Sequence, residues 1–208
     1  MIDRRWLAGP VLEVAPRLLG VHVTTTLPDG VVTVRLTEVE AYDGANDPGS
    51  HAYRGRTARN EVMFGPAGFL YVYRHLGLHV CANVVTGTAG TASAVLLRAG
   101  EVVRGVEVAR ERRLRRGVVR TDLDLARGPA RLADALGITL DLYGADVLDG
   151  SGVVHLDAGE PAGDVGTGPR VGVSGTGGDA VAHPWRFWLA DEPTVSVYRA
   201  ATPRRRRT

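Results

Sequence analysis

Apolar and polar positions alternate most regularly between Val21 and Ala41, where two β-branched runs, residues 21–27 and 31–41, flank Pro28-Asp29-Gly30. β-Branched side chains favour extended backbone and a Pro-Asp-Gly run supplies turn geometry, so the stretch predicts a β-hairpin. A period of two places Val32, Val34, Leu36, Glu38 and Glu40 on one face of the second strand, with two carboxylates closing an apolar row. Upstream, Val11, Leu12, Val14, Ala15, Leu18 and Leu19 predict a short helix stopped by Gly20, its early turns disturbed by Pro16. Downstream, residues 69–74 and 78–85 read as strands joined at Leu76-Gly77, a second hairpin, and residues 92–98 as a further strand. Helices are expected over 102–114 and 129–136, the latter ended by Gly137, with short sheet pieces at 153–156, 170–173, 187–189 and 195–198. Residues 42–68 form a long loop with one helical turn capped by Thr57, the sort of connection on which sites are built. With neither repeat nor linker, the pattern describes one α+β domain, residues 1–200, followed by a basic, disordered tail over 201–208.

A chain of 208 residues buries roughly 70% of its unfolded surface on folding, enough for a real core. No apolar run approaches the roughly 20 residues of a membrane span, and the first residues, Met1-Ile-Asp-Arg-Arg-Trp6, lack a secretory pattern. Cys81 is the single cysteine, which suits a reducing compartment and a cytoplasmic location. All 25 basic residues are arginine and none is lysine. A side-chain Schiff base and a P-loop lysine are therefore both excluded, leaving only the Met1 amine for imine chemistry. The net charge of +2 says little about nucleic acid; two local clusters, Arg110 to Arg120 and Arg204 to Arg207, read as solvated surface that could also grip phosphate.

Chemistry concentrates between Glu38 and Asn83. Glu40 and Tyr42 share a strand face, and His51, Tyr53, Tyr71 and Tyr73 add rings from the loop and the next hairpin. Rings beside an acid suit work on a nucleobase, because base stacking is sequence-tolerant and a base must leave the duplex to be reached. Tyrosines at alternate strand positions also occur for packing alone. His75 and His79 have the spacing of helical metal ligands but fall in a hairpin across Gly77, so no metal is expected. No Gly-x-Ser-x-Gly elbow is present, and the glycine-rich stretch 172–178 lacks the lysine and helix of a phosphate loop.

Glu38-Val-Glu40-Ala-Tyr42, joined to Gly55-Arg-Thr-Ala-Arg-Asn60 and Met63-Phe64, resembles the alkyladenine (3-methyladenine) DNA glycosylase family. So do Ala94-Val-Leu-Leu-Arg98-Ala, residues 126–132, Arg170-Val-Gly-Val173, Arg186-Phe-Trp and Val195-Ser-Val. The resemblance covers most of the chain. It implies a curved, mostly antiparallel sheet with flanking helices and a hairpin that enters the DNA minor groove. It also implies a monofunctional glycosylase, nucleoid-associated through double-stranded DNA containing damaged purines; a metal-free and cofactor-free monomer is expected. In that frame Glu40 activates water, while Arg98 and the Val171 carbonyl hold the water and the local phosphate. Tyr42, His51 and Tyr73 sandwich the flipped base, and Asn83 excludes normal guanine. One departure stands out: the family's intercalating tyrosine at the hairpin tip is replaced here by Leu76. Leucine can wedge between base steps but cannot stack. A noncatalytic damage-binding module would keep rings and arginines without needing Glu40, and a hydrolase of free nucleosides would need no wedge.

Overall fold

The computed structural model describes residues 2–159 and 163–201, organised around one open sheet of eight strands. They are β1 (His22–Leu27), β2 (Gly30–Tyr42), β3 (Leu70–His75), β4 (His79–Val85), β5 (Ala94–Arg104), β6 (Val154–Asp157), β7 (Val165–Gly168) and β8 (Arg186–Leu189). Their order is β3-β4-β5-β2-β1-β6, with β8 on β2 and β7 on β8, and each strand pairing is antiparallel. Four helices, α1 (Arg4–Leu7), α2 (Val11–Arg17), α3 (Val106–Leu114) and α4 (Pro129–Leu136), complete an α+β fold.

β2 organises the sheet because it changes partner along its length. Residues 30–35 pair with β1, residues 38–40 pair with β8, and β5 runs along the other side. The changeover coincides with two opposed bulges. Leu36 lies opposite Gly100 and Glu38 opposite Ala99, which leaves Thr37 as the extra residue on β2. Val39 then lies opposite Leu97, which leaves Arg98 as the extra residue on β5. A bulge residue shifts the alternation by one. Accordingly Val32, Val34 and Leu36, then Val39 and Ala41, are the residues that enter the apolar core. The expectation that Glu38 and Glu40 share the face of Val32, Val34 and Leu36 is thus overturned: they project from the opposite face. Gly100 makes the close approach possible, since a Cβ there would stand 2.4 Å from the Arg35 carbonyl oxygen.

The core joins this face to Val72, Ala82, Val84, Val95 and Leu97 and to apolar residues of α2 and α4 such as Val14, Leu18, Leu132 and Leu136. Several boundaries differ from the sequence expectation. Strand β5 runs to Arg104, and α3 starts only at Val106, because Gly105 turns the chain at φ 75° where a side chain would meet the Val31 carbonyl. Helix α2 tolerates Pro16 in its last turn and ends at Arg17. Thr57 caps no helix; instead its N–H donates to Asn60 Oδ1 (2.7 Å) just before a 3-10 turn at Glu61–Phe64. Residues 170–173 and 195–198 are not strands, whereas β7 was not anticipated. The run Arg204 to Arg207 lies outside the described residues.

Candidate active site

On the face away from the core, each strand contributes the residues that alternate with its core-facing ones. Tyr73 lies opposite Cys81, Tyr71 opposite Asn83, Asn83 opposite Leu96, and Leu96 opposite Glu40. Opposed residues on paired strands share a face, so this ladder forms a row across β3, β4, β5 and β2. With His51 from the 42–68 loop and Val171 to Ser174 from the facing segment, the row lines a cavity of about 460 Å³. That volume is in the range of small-molecule sites.

Glu40 is fully buried yet borders this cavity. Its Oε2 accepts a hydrogen bond from the Tyr42 hydroxyl (2.8 Å) and its Oε1 accepts one from the Val171 N–H (2.7 Å). Arg98 Nη1 lies 3.2 Å from Oε1. A carboxylate out of water needs such partners. Burial opposes the charge on Arg98, but the Glu40 and Glu38 carboxylates outweigh it and hold the guanidinium above its ordinary range. Burial, reinforced by Glu40, pushes the Tyr42 hydroxyl well above its ordinary value, which keeps it a proton donor toward Glu40.

The Tyr42 ring is braced from behind by Arg170, whose guanidinium carbon stands 4.5 Å from the ring centroid. Arg170 is fully buried and donates to Asp47 Oδ1 (2.6 Å), the Ala41 carbonyl (2.8 Å) and the Gly177 carbonyl (2.7 Å). One side chain thereby ties the end of β2 to both segments that flank the cavity. It also sets its neighbour Val171 against Glu40.

Across the cavity the rings form a connected set. Tyr71 and Tyr73 stack with centroids 5.4 Å apart, and the His51 ring meets Tyr73 edge-on at 4.6 Å. His51 Nδ1 is 2.9 Å from the Tyr71 hydroxyl. Burial, then Arg59 and His75, bring His51 down to about 4, so the imidazole is neutral near pH 7. Burial, then Cys81, raises the Tyr73 hydroxyl, and burial lifts the Cys81 thiol to about 11. The cavity wall therefore presents neutral donors and acceptors. Asn83 is held by its Nδ2–H to the Tyr71 carbonyl (3.1 Å). His51 is placed by Asn60, whose amide donates to the carbonyls of His51 and Gly55 at 3.0 Å.

Of the residues expected in the site, Glu40, Tyr42, His51, Tyr73, Asn83, Arg98 and Val171 all line the one cavity. The Val171 N–H donates to Glu40. Tyr53 is exposed and does not line the cavity. Leu76 sits away from it, 81% exposed at the tip of the β3–β4 hairpin. His75 and His79 face each other across that hairpin; among the described residues no group of three or more His, Cys, Asp or Glu could hold a metal. The Arg110 to Arg120 cluster is partly committed to the fold, Arg112 to Asp29 and Arg113 to Asp134. Sequence reasoning missed the Arg170–Asp47 brace and the partners of Glu38. The shift of apolar parity from Leu36 to Val39 was the readable signal for the latter.

The fold thus builds a buried, three-point-held acid beside a ring-walled cavity on one face of an antiparallel sheet. Residues 5–193 match the methylpurine-DNA glycosylase (MPG) family, and the chain belongs to that family. Among similar proteins, one from Streptomyces avermitilis is 57% identical, with all of this chain and 96% of the relative covered. Others from Nocardia farcinica (54%; 89% and 85% covered) and Leifsonia xyli (53%; 90% and 88% covered) are comparable. All three relatives carry the name "Putative 3-methyladenine DNA glycosylase". No helix among the described residues is long and apolar enough to cross a membrane.

Proposed function

We propose that the protein is a monofunctional DNA glycosylase that hydrolyses the N-glycosidic bond of damaged purines, 3-methyladenine and other alkylpurines first, in double-stranded DNA. The observation that carries this reading is Glu40: a buried carboxylate held by Tyr42, Val171 and Arg98 at the edge of a ring-walled cavity. Purine release passes through an oxocarbenium-like sugar. A carboxylate beside the anomeric carbon takes a proton from water as the water oxygen bonds to that carbon, and its charge opposes the cation that forms. The glycosidic electron pair leaves with the base. An alkylated, cationic purine departs neutral; a deaminated or etheno purine needs a proton from another donor.

The base is taken out of the stack and held between Tyr42 on one side and His51 and Tyr73 on the other. Asn83, fixed by Tyr71, meets the edge where guanine carries its exocyclic amine, and an unpaired buried polar group there costs about 1 to 3 kcal/mol. Leu76, at the tip of a hairpin that enters the minor groove, fills the gap in the stack. With no lysine in the chain, simple hydrolysis to an abasic site without strand scission is the expected outcome. The enzyme acts as a monomer, associated with DNA, and uses neither metal nor cofactor.

The test is base release from duplexes bearing 3-methyladenine, 7-methylguanine, hypoxanthine or ethenoadenine. The proposal predicts abasic sites that break only after alkali, alkylated bases leaving faster than neutral ones. Tight binding to damaged duplex with no release from any of the four would overturn it in favour of a noncatalytic damage-binding module.

A further inference from the structure

Behind Glu40 lies a second carboxylate that the proposed chemistry does not use. Glu38 is fully buried, and four donors converge on it: Arg98 Nε at 2.9 Å, Arg186 Nε at 2.6 Å, the Ser196 hydroxyl at 3.0 Å and the Ser196 N–H at 2.7 Å. Arg98 is shared. Its Nε meets Glu38, its Nη1 meets Glu40 and its Nη2 reaches the Ser196 hydroxyl at 3.3 Å. A guanidinium is a rigid planar fork, so anchoring Nε and Nη2 fixes where Nη1 points. Arg186 is itself anchored, by the Ser196 carbonyl (2.8 Å) and over the Trp188 ring (4.6 Å). The result is a buried quartet of two carboxylates and two guanidiniums.

We propose that Glu38 is a positioning residue which, by sharing Arg98 with Glu40 and holding Arg186, sets the pH range and the strength with which Glu40 takes a proton from water. This inference rests on the hydrolytic role proposed for Glu40. The groups facing Glu40 are Arg98 from β5, Tyr42 from its own strand, Tyr73 from β3, Cys81 from β4 and Arg170 from the facing segment. The two tyrosines and the thiol stay neutral, because burial raises all three. Arg170 is offset by its two-oxygen contact with Asp47. The charge of Arg98 is offset, apart from Glu40 itself, by Glu38. Removing the Glu38 charge leaves Glu40 as the single carboxylate beside Arg98 and Arg186, an excess of one positive charge in the quartet, which favours the ionised form of Glu40 and makes it a weaker base.

The experiment is single-turnover release of 3-methyladenine from pH 4 to 9 by wild type, Glu38→Gln, Arg186→Gln and the double variant, with thermal midpoint and damaged-duplex affinity measured for each. Glu38→Gln should lower the plateau rate about ten-fold and move the acid limb down by about one pH unit, with duplex affinity held within about two-fold. Arg186→Gln should move the limb the other way. The double variant, again charge-balanced, should return it toward the wild-type position. Limbs that stay put in all three, with rates falling only as folded protein is lost, would show a merely structural role and overturn the inference. If Glu38→Gln does not fold, the Arg186→Gln limb decides alone: a rise supports the inference and no movement overturns it. A wild-type protein that releases no base overturns the glycosylase reading as well.

Discussion

On the helix-covered face of the sheet, Val39, Ala41, Val72, Val84, Val95 and Leu97 are buried in one apolar cluster. On the other face their sequence neighbours Glu40, Tyr73, Asn83, Leu96 and Arg98 line the cavity. The strands are the same and the backbone spacing is the same; only the phase differs. Because strand side chains alternate with a period of two, a one-residue slip would exchange the two sets. The paired bulges at Thr37 and Arg98 make that exchange once, on purpose, where β2 leaves β1 for β8. The core thus fixes the site geometry through the stiffest part of the fold, which suits a reaction that needs its acid placed to within a fraction of an ångström. Within the polar face the two carboxylates differ as well. Glu38 is surrounded by its donors, whereas Glu40 faces the cavity.

If the faces divide labour in this way, substitutions on them should separate stability from chemistry. Leu97→Ala, on the core face, should cost about 2 to 5 kcal/mol of unfolding free energy; urea titration measures it, and the rate per folded molecule should change less than two-fold. Tyr73→Ala, on the cavity face, should weaken capture of the damaged base by about 1 to 3 kcal/mol, with a smaller shift in the urea midpoint than Leu97→Ala. Equal losses of stability and equal losses of rate from both would erase the distinction.

Two smaller effects sharpen it. Leu76 occupies a left-handed backbone position, φ 50°, at the hairpin tip, a conformation unfavourable for a bulky residue. Restoring a stacking ring by Leu76→Tyr should raise release of hypoxanthine and ethenoadenine several-fold and leave 3-methyladenine nearly unchanged; no change in either would remove the wedge from the account. For His51 the folded-state value of about 4 lies below the ordinary 6.5. The unfolded chain takes up a proton near pH 6.5 that the folded chain refuses until near 4, so this contribution to stability is complete above 6.5 and lost on descending through that window. Thermal midpoints of wild type and His51→Asn at pH 7, 5 and 4 should diverge least at pH 4. Base release should show no inflection near 6.5 from this ring.

Much of the fold is legible in the chain because β-branched runs, turn residues and helix stops act locally. The β1–β2 and β3–β4 hairpins, α4 and its Gly137 stop all follow from a few neighbouring residues. The site residues were legible as types clustered between Glu38 and Asn83, with Arg98 and Val171 supplied by family resemblance. What was illegible depends on partners far along the chain. The shift of apolar parity from Leu36 to Val39 marks a break in the two-residue period, but it does not reveal the other half of the bulge, Arg98 and Gly100, some sixty positions away. Arg170 looked like a strand residue because its β-branched neighbours do, yet its long-range bonds to Asp47 and Ala41 hold that segment as a loop. Thr57 is a different case: its partners are local, since Asn60 takes the Thr57 N–H while donating to the carbonyls of Gly55 and His51, and this loop hydrogen bonding displaces the expected cap.

The most direct measurement is single-turnover release of 3-methyladenine by Glu40→Gln, read beside its thermal midpoint and its affinity for the damaged duplex. Glutamine keeps the shape and much of the hydrogen bonding while removing the base. The account predicts a loss of about a hundred- to ten-thousand-fold in rate, with the protein folded and duplex affinity retained. Release at the wild-type rate by a folded Glu40→Gln protein would contradict it.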